Sequence, residues 1–267
     1  MLGIFKKKKK KVGLCLGGGG TRGFAHLGAI KAFEEYGIKF DEVAGTSVGS
    51  VVGALYCSNL NFHQMYKISK GLVPKEIRKS KFGFMPSETD GLQAFIKNNV
   101  PYEKLEDLPL KLWVVAVDLK SGTEYDFEHG EIVPIVTGSC AVPAVFVPVE
   151  YKDYRLIDGG VMNNIPANLL KESGCDIVIT VDVNSTRGEG TTSTKTLDGI
   201  MASFGIMMKN NSKSGYLYSD IVIKPDIKKY KATKVEGAEE MIEEGYSACV
   251  KAMPKILELL KRKKIKK

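Results

Sequence analysis

Short apolar runs alternate with segments of helical periodicity along the chain. Residues 12–16 form a brief apolar run that ends in glycines, which is typical of a buried strand, and residues 24–36 place apolar side chains at helical spacing. Leu112–Leu119 is a continuous apolar run that predicts a central strand, and Gly122–Phe127 predicts a return strand that pairs with it. Further strands are predicted at 42–45, 154–157, 177–183 and 221–224, and further helices at 48–56, 63–71, 90–99, 165–172, 197–213 and 237–261.

This alternation predicts the class of fold. Strands separated by helices favour a mainly parallel sheet that helices cover on both faces. No internal repeat and no linker-like segment divides the chain, so we expect a single α/β domain. The Gly/Ser/Thr-rich stretch 184–196 is predicted to be a loop, and Lys81–Pro86 (KFGFMP) an apolar loop.

The basic residues are concentrated at the two ends of the chain. The formal net charge is +8, yet residues 1–11 and 261–267 supply twelve lysines and arginines and no acidic residue. Residues 12–260 keep 27 basic against 31 acidic side chains, a net charge of −4. We therefore predict one domain at 12–260 between a basic N-terminal tail and a basic C-terminal tail. The tails suit contact with an anionic membrane or solvated ends, but not nucleic acid, because no aromatic side chain is interleaved with the lysines.

The cysteines and the N-terminal residues predict a cytoplasmic protein. The five cysteines are widely scattered without a C-x-x-C pair, which argues for reduced thiols and against a zinc site or a disulfide framework. The apolar run after the N-terminal lysines has only five residues, too few for a signal peptide. No apolar run approaches the roughly 18 residues of a membrane span. We expect a cytoplasmic location, at most peripheral at the inner membrane surface, and no metal or cofactor.

A glycine-rich loop, Gly17–Gly23, follows the first predicted strand. It contains the spacing G-x-G-x-x-G, but a dinucleotide site also needs an acidic residue at the end of the second strand, where Gly45-Thr46-Ser47 stands instead. A phosphate-binding loop would continue with Lys and Ser or Thr, and Phe24 follows here. The loop alone is therefore a weak signal, which a tight turn explains equally well.

The segment Gly45-Thr46-Ser47-Val48-Gly49 is a stronger signal. It has the form G-x-S-x-G between a predicted strand and a predicted helix, the setting of a nucleophile elbow. The sharp turn exposes the serine hydroxyl, and Gly45 and Gly49 allow it because they carry no side chain. We interpret Ser47 as a nucleophile rather than as part of a structural turn.

No histidine stands where an ordinary catalytic triad would place the base that activates Ser47. An ordinary α/β-hydrolase places its histidine after the acid, and the three histidines here are His26, His63 and His129. Asp158 lies beyond all of them. His26 is better explained as a packing or hydrogen-bonded residue, and the other two lie in segments resembling an exposed helix and a hairpin end.

Asp158 offers an alternative base. It follows an apolar strand and precedes Gly159 and Gly160, so its carboxylate is expected at the end of a strand. A turn aspartate is the ordinary reading of this pattern. A carboxylate is a weak base for an alcohol, so the pair needs strong stabilisation of the oxyanion that develops on carbonyl attack. Amides of the glycine loop and the charge of Arg22 would provide it. The predicted oxyanion residues are Gly18, Gly19, Gly20, Thr21, Arg22 and Val48, with Gly23 completing the loop motif.

The chain resembles the patatin-like phospholipases, in their bacterial branch. The resemblance covers about residues 12–185 and is carried by four motifs in order: Gly18–Gly23; the elbow with residues 50–56; Ser139-Cys140-Ala141-Val142-Pro143 with Phe146 and Pro148; and Asp158-Gly159-Gly160 with Asn163-Asn164-Ile165-Pro166. It implies a three-layer α/β/α sandwich, a Ser47–Asp158 dyad, an oxyanion hole of glycine-loop amides, and hydrolysis of phospholipid or lysophospholipid acyl esters. Gly17, where many members carry Asp or Ser, and the lysine-rich tails depart from the pattern.

Other functions remain open on the sequence. The same dyad would serve a soluble esterase, thioesterase or acyltransferase, and a non-catalytic lipid- or protein-binding regulator could keep the fold. Acyl chains need an apolar groove near Ser47. The candidates are Phe82, Phe84 and Met85 in the KFGFMP loop, and the stripe Leu197, Ile200, Met201, Phe204 and Met208, whose helical spacing is equally typical of core.

Overall fold

The computed structural model describes residues 10–71, 86–185, 192–230 and 235–261. Strands and helices alternate through most of this length, as the apolar pattern predicts. The strands are β1 (Val12–Leu16), β2 (Glu42–Thr46), β3 (Lys111–Asp118), β4 (Thr123–Phe127), β5 (Val149–Tyr151), β6 (Tyr154–Asp158), β7 (Ile177–Val181) and β8 (Ile221–Ile223). The helices are α1 (Phe24–Glu35), α2 (Val48–Cys57), α3 (Phe62–Lys70), α4 (Asp90–Asn99), α5 (Ile132–Ser139), α6 (Ala167–Glu172), α7 (Thr196–Leu217) and α8 (Ala238–Lys261).

The strands form one mixed sheet. Its hydrogen-bonded neighbours run β5-β6-β3-β2-β1-β7-β8, and β4 also pairs with β3. The pairs among β3, β2, β1, β7 and β8 are parallel, whereas β4 and β6 run antiparallel to β3 and β5 runs antiparallel to β6. The prediction of a mainly parallel sheet thus holds for the centre and one side, and hairpins make the other side antiparallel.

Helices cover both faces of the sheet. Leu14 and Leu16 of β1 belong to a large buried cluster with side chains of α1, α2 and α8, while Cys15 between them belongs to a second cluster with α6. Because successive side chains of a strand point to opposite faces, the two clusters lie on opposite sides of the sheet. These three layers confirm the predicted fold class.

The helices α1 and α8 cross at very short range. A Cβ on Gly28 would lie 1.8 Å from the Ile242 carbonyl oxygen, and one on Gly245 would lie 2.0 Å from the Ala25 carbonyl oxygen. Only glycine allows the two backbones to approach in this way. This contact fixes α1, and with it the loop that precedes α1. Among the helices in the described residues, none has the length and apolar character needed to span a bilayer.

Two elements of the structure are not predicted from the sequence, the helix α5 and the short strand β5. The N-terminal tail is also shorter than predicted, because Lys11 is held by the domain. Its Nζ lies 2.5 Å from Glu42 Oε1, and its backbone N–H donates to Asp176 Oδ2 at 2.9 Å. Lys261 is the last residue of α8. Lys10 is described as well, and its Nζ donates to the Leu259 carbonyl. The remaining tail residues, 1–9 and 262–267, and Lys81–Met85 of the KFGFMP loop lie outside the described residues.

Candidate active site

Ser47 occupies a strained turn between β2 and α2. Its φ of 54° and ψ of −129° lie in a region that residues with a side chain rarely adopt. A Cβ on Gly49 would lie 2.0 Å from the Leu16 carbonyl oxygen, and one on Gly45 would lie 2.5 Å from the Gly49 carbonyl oxygen. The turn therefore requires both glycines, as the G-x-S-x-G pattern predicts. The serine side chain is buried, with 4% of its surface exposed.

Asp158 is the last residue of β6 and is fully buried. Its Oδ1 accepts a hydrogen bond from the Gly160 N–H at 2.8 Å, and its own N–H donates to the Ala141 carbonyl at 3.0 Å. A Cβ on Gly159 would lie 2.3 Å from the Val115 carbonyl oxygen. The two glycines after Asp158 thus let the chain turn against β3.

The register of the sheet brings Ser47 and Asp158 together. Residues 114–115 of β3 pair with both β2 and β4, and residues 116–118 pair with both β4 and β6. Because a strand has only two edges, β2 and β6 occupy the same edge of β3, one after the other. Thr46 lies opposite Val115, and Asp158 lies opposite Ala116. The C-terminal ends of β2 and β6 therefore meet at adjacent positions on β3.

The glycine loop lies directly beside Ser47. A Cβ on Gly18 would lie 3.1 Å from the Ser47 Cβ and 2.5 Å from Asn164 Oδ1. The Gly18 N–H, however, donates to the Asn164 carbonyl at 3.2 Å. This amide is occupied, which corrects its assignment as an open oxyanion donor. Among the described residues, the N–H groups of Gly19 and Gly20 donate to no strand or loop acceptor.

The other predicted oxyanion residues divide into two groups. Gly20, Thr21 and Val48 line the same cavity as Ser47, and Val48 is the first residue of α2, so its N–H has no acceptor within that helix. Arg22 is buried and its Nε donates to the Tyr230 carbonyl at 2.9 Å; it is not among the residues that line the cavity. The expected charge of Arg22 at the oxyanion position is therefore not supported by its geometry.

Ser47 and Asp158 open into an apolar cavity of about 220 Å³. Much of its wall is formed by side chains from five helices, α1, α2, α3, α4 and α7. Of the predicted stripe on α7, the residues Met201, Phe204 and Met208 line the cavity, whereas Leu197 and Ile200 are exposed. Further apolar lining comes from Leu27 of α1, Val51 and Leu55 of α2, Met65 of α3, and Leu92 and Phe95 of α4.

His26 supports the glycine loop. It is fully buried, and its Nε2 donates to the Gly17 carbonyl at 2.8 Å, because a carbonyl oxygen can only accept. Burial lowers the pKa of its imidazole to about 4, so the ring is neutral at physiological pH. The cavity lining includes none of the described histidines, and His63 and His129 are exposed. The interpretation of His26 as a structural residue agrees with these contacts.

Cys140 and Met208 also contribute to the site, and of the two only Met208 belongs to the apolar stripe predicted from the sequence. Cys140 lines the cavity, and burial raises the pKa of its thiol, which therefore stays protonated. Met208 connects the two halves of the site, because its Cε lies 3.2 Å from a Cβ placed on Gly18 and 2.9 Å from one placed on Gly160. Within the described residues, no three His, Cys, Asp or Glu side chains form a group suited to a metal ion.

Comparison with known proteins gives a consistent family. Residues 14–171 match the sequence profile of a family described as Patatin-like phospholipase. The protein named Lysophospholipase NTE1 from Candida albicans is 29% identical over 181 residues, which cover 65% of this chain and 13% of that protein. The Aspergillus fumigatus protein of the same name is 33% identical over 184 residues, covering 66% and 12%. The chain thus spans about an eighth of the length of these curated relatives. Both are fungal, so the expected bacterial branch is not supported.

Solved structures share the fold. VipD from Legionella pneumophila superposes with a TM-score of 0.61 at 16% identity, covering 95% of this chain and 67% of VipD. Human GIVD cytosolic phospholipase A2, solved in complex with methyl gamma-linolenyl fluorophosphonate, gives a TM-score of 0.52 at 10% identity, covering 94% and 59%. At these identities the likeness extends to the fold alone.

Proposed function

The chain belongs to the patatin-like phospholipase family, and on that basis we propose that it is a lipid acyl hydrolase. Its substrates are fatty-acyl esters of phospholipids or lysophospholipids, which it cleaves with Ser47 as nucleophile and Asp158 as base. The observation that carries the proposal is the pairing of Thr46, which precedes Ser47, and of Asp158 with adjacent residues of β3, together with the position of Ser47 and Asp158 in the wall of one apolar cavity. Such a cavity suits the hydrocarbon chain of an acyl ester.

The proposed reaction proceeds through an acyl-enzyme. The Ser47 Oγ attacks the ester carbonyl carbon while Asp158 removes the hydroxyl proton, and the carbonyl π electrons move onto the oxygen. N–H groups of Gly19, Gly20 and Val48 stabilise this oxyanion. The tetrahedral intermediate collapses, the C–O bond to the alcohol breaks, and Asp158 returns the proton to the leaving oxygen. Water then attacks the acyl-serine with Asp158 again as base, which releases the fatty acid and restores Ser47.

The test is ester hydrolysis by matched variants. Ser47→Ala and Asp158→Asn each remove one proposed catalytic group, and we expect each to lower kcat by at least about a thousandfold. Ser58→Ala is the control for Ser47, because Ser58 is a buried serine directly after the C-terminal end of α2, the helix that Ser47 precedes. Asp153→Asn is the control for Asp158, because Asp153 lies in the turn of the hairpin that β5 and β6 form. An Asp158→Asn enzyme with near-wild-type rates would refute the dyad. A folded wild-type protein that a fluorophosphonate does not label would favour a non-catalytic regulator.

Substrate presentation separates the lipase from a soluble esterase, thioesterase or acyltransferase. We expect hydrolysis to rise when a phospholipid is presented above the concentration at which it forms micelles or vesicles. A rate that is independent of aggregation would favour an enzyme for soluble acyl donors. All five cysteines are buried free thiols, which agrees with the proposed cytoplasmic location.

We also retain membrane contact through the tails as a hypothesis, motivated by their charge. Lysines near an anionic bilayer contribute about 1 kcal/mol each, and the effect weakens with salt. Co-sedimentation with anionic vesicles tests it on protein lacking residues 1–9 and 262–267. Undiminished binding after truncation would exclude the tails from membrane contact.

A further inference from the structure

The segment Ser139–Ala141, at the C-terminal end of α5, contacts both proposed catalytic residues. The Ser139 hydroxyl accepts a hydrogen bond from the backbone N–H of Ser47, and the Ala141 carbonyl accepts one from the backbone N–H of Asp158 at 3.0 Å. Cys140 lies between them, lines the cavity and is close to the side chains of Ser47 and Ser50. The proposed reaction assigns no role to this segment.

The Ser139 hydroxyl makes two well-formed hydrogen bonds. Its Oγ accepts the Ser47 N–H at 2.9 Å and donates its own proton to the Val115 carbonyl at 2.6 Å. Val115 lies on β3 opposite Thr46, the residue that precedes Ser47. Ser139 is fully buried, so no water competes for either bond. The hydroxyl therefore connects the backbone of the elbow to the strand on which β2 and β6 meet.

The amide of Ser47 has a particular need for such an acceptor. Ser47 has left β2 and precedes the first residue of α2, so neither the sheet nor the helix supplies a partner for its N–H. A buried amide without an acceptor is unfavourable, and the positive φ of Ser47 adds strain. The bond to Ser139 holds the backbone in this conformation, and the conformation determines where the Ser47 hydroxyl points.

We propose that Ser139 is a positioning residue for the nucleophile: its hydroxyl fixes the Ser47 backbone on β3 and so aims the Ser47 Oγ toward Asp158 and the ester. The inference rests on the proposed function, because it assigns Ser139 a role in the same reaction. It predicts that Ser139 affects the rate of acyl transfer more than substrate binding or folding.

The test compares Ser139→Ala with Thr137→Val in the full chain. Thr137 lies on the same helix and is fully buried, but its Oγ1 has no hydrogen-bond partner among the residues that the structure describes, so it controls for the loss of a buried hydroxyl. We expect Ser139→Ala to lower kcat about 10- to 100-fold, the range that a small displacement of a reacting group produces. The KM should change by less than about threefold, and the rate of fluorophosphonate labelling should fall in parallel with kcat. Thr137→Val should keep wild-type values.

Two further measurements keep the inference falsifiable. Ser139→Cys retains a side chain of similar size with a weaker hydrogen-bond acceptor, so we expect its kcat to lie between those of wild type and Ser139→Ala. If Ser139→Ala does not fold, Ser139→Cys takes its place in the comparison. Hydrogen exchange of the Ser47 amide should be faster in Ser139→Ala but unchanged in Thr137→Val.

Failure of the Ser139 role and failure of the proposed function give different results. If wild type hydrolyses lipid esters and Ser139→Ala does so with the wild-type kcat, the positioning role is wrong even though the dyad stands. A Ser139→Ala variant that loses thermal stability but not kcat would equally overturn it. An unlabelled and inactive wild-type protein would instead show that the proposed function itself has failed.

Discussion

The neutral, buried His26 makes this protein sensitive to acid in a way that one substitution can isolate. Its Nε2 donates to the Gly17 carbonyl, and its buried Nδ1 has no hydrogen-bond partner within the described part of the chain. A proton added to Nδ1 would place a positive charge where none of these residues accepts a hydrogen bond. Burial therefore lowers the pKa of His26 from 6.5 to about 4.

The sign and size of the effect follow from that shift. Because the pKa is lower in the folded state, the unfolded chain binds the proton first as the pH falls. The contribution of His26 to stability is complete above pH 6.5 and is lost between pH 6.5 and pH 4. A difference of 2.5 units corresponds to about 3 kcal/mol in the free energy of unfolding.

Chemical denaturation of wild type and His26→Gln between pH 4 and pH 8 measures this contribution. The Gln side chain keeps an N–H for the Gly17 carbonyl but does not titrate, so we expect His26→Gln to lose about 3 kcal/mol less than wild type over this interval. The exposed His63→Gln serves as the control and should follow the wild-type curve. Parallel curves for wild type and His26→Gln would refute the reasoning.

Three other changes test separate parts of the structure. Gly18→Ala should lower kcat at least about tenfold, because the new Cβ would lie 2.5 Å from Asn164 Oδ1 and 3.1 Å from the Ser47 Cβ, whereas Gly199→Ala, with nothing within 4 Å, should not. Phe204→Ala should shift the preference of hydrolysis toward longer or bulkier acyl chains in a chain-length series, while Ala at the exposed Ile206 of the same helix leaves it unchanged; equal profiles would exclude α7 from the acyl site. Asp126 is solvent-exposed on β4, yet partial desolvation and the neighbouring Glu124 raise its pKa to about 7, so stability should fall as the pH rises through 7, and Asp126→Asn should remove that fall in denaturation at pH 6 and pH 8.

Local patterns in the sequence predict much of this protein. Apolar periodicity locates most of the described strands and helices, because each depends on side chains a few residues apart. The elbow at Ser47 is also visible locally, since the two glycines that the turn requires, Gly45 and Gly49, lie within two residues of the serine. The helix α5 is not predicted because Ile132–Ser139 contains Pro134 and β-branched residues, which disfavour a helix. The helix forms nevertheless, since a proline is tolerated in the first turn.

The composition of the site was decided by the tertiary structure. That β6 runs antiparallel and ends against β2 on one edge of β3 depends on pairings between residues about forty or more positions apart, which no local pattern records. The same long-range contacts occupy the Gly18 amide with Asn164 and direct Arg22 to Tyr230. The sequence by itself determined a serine elbow, a glycine loop and an aspartate after a strand. Only the folded sheet decided that Ser47 and Asp158 meet, because strand direction and register are set by pairing across the whole chain.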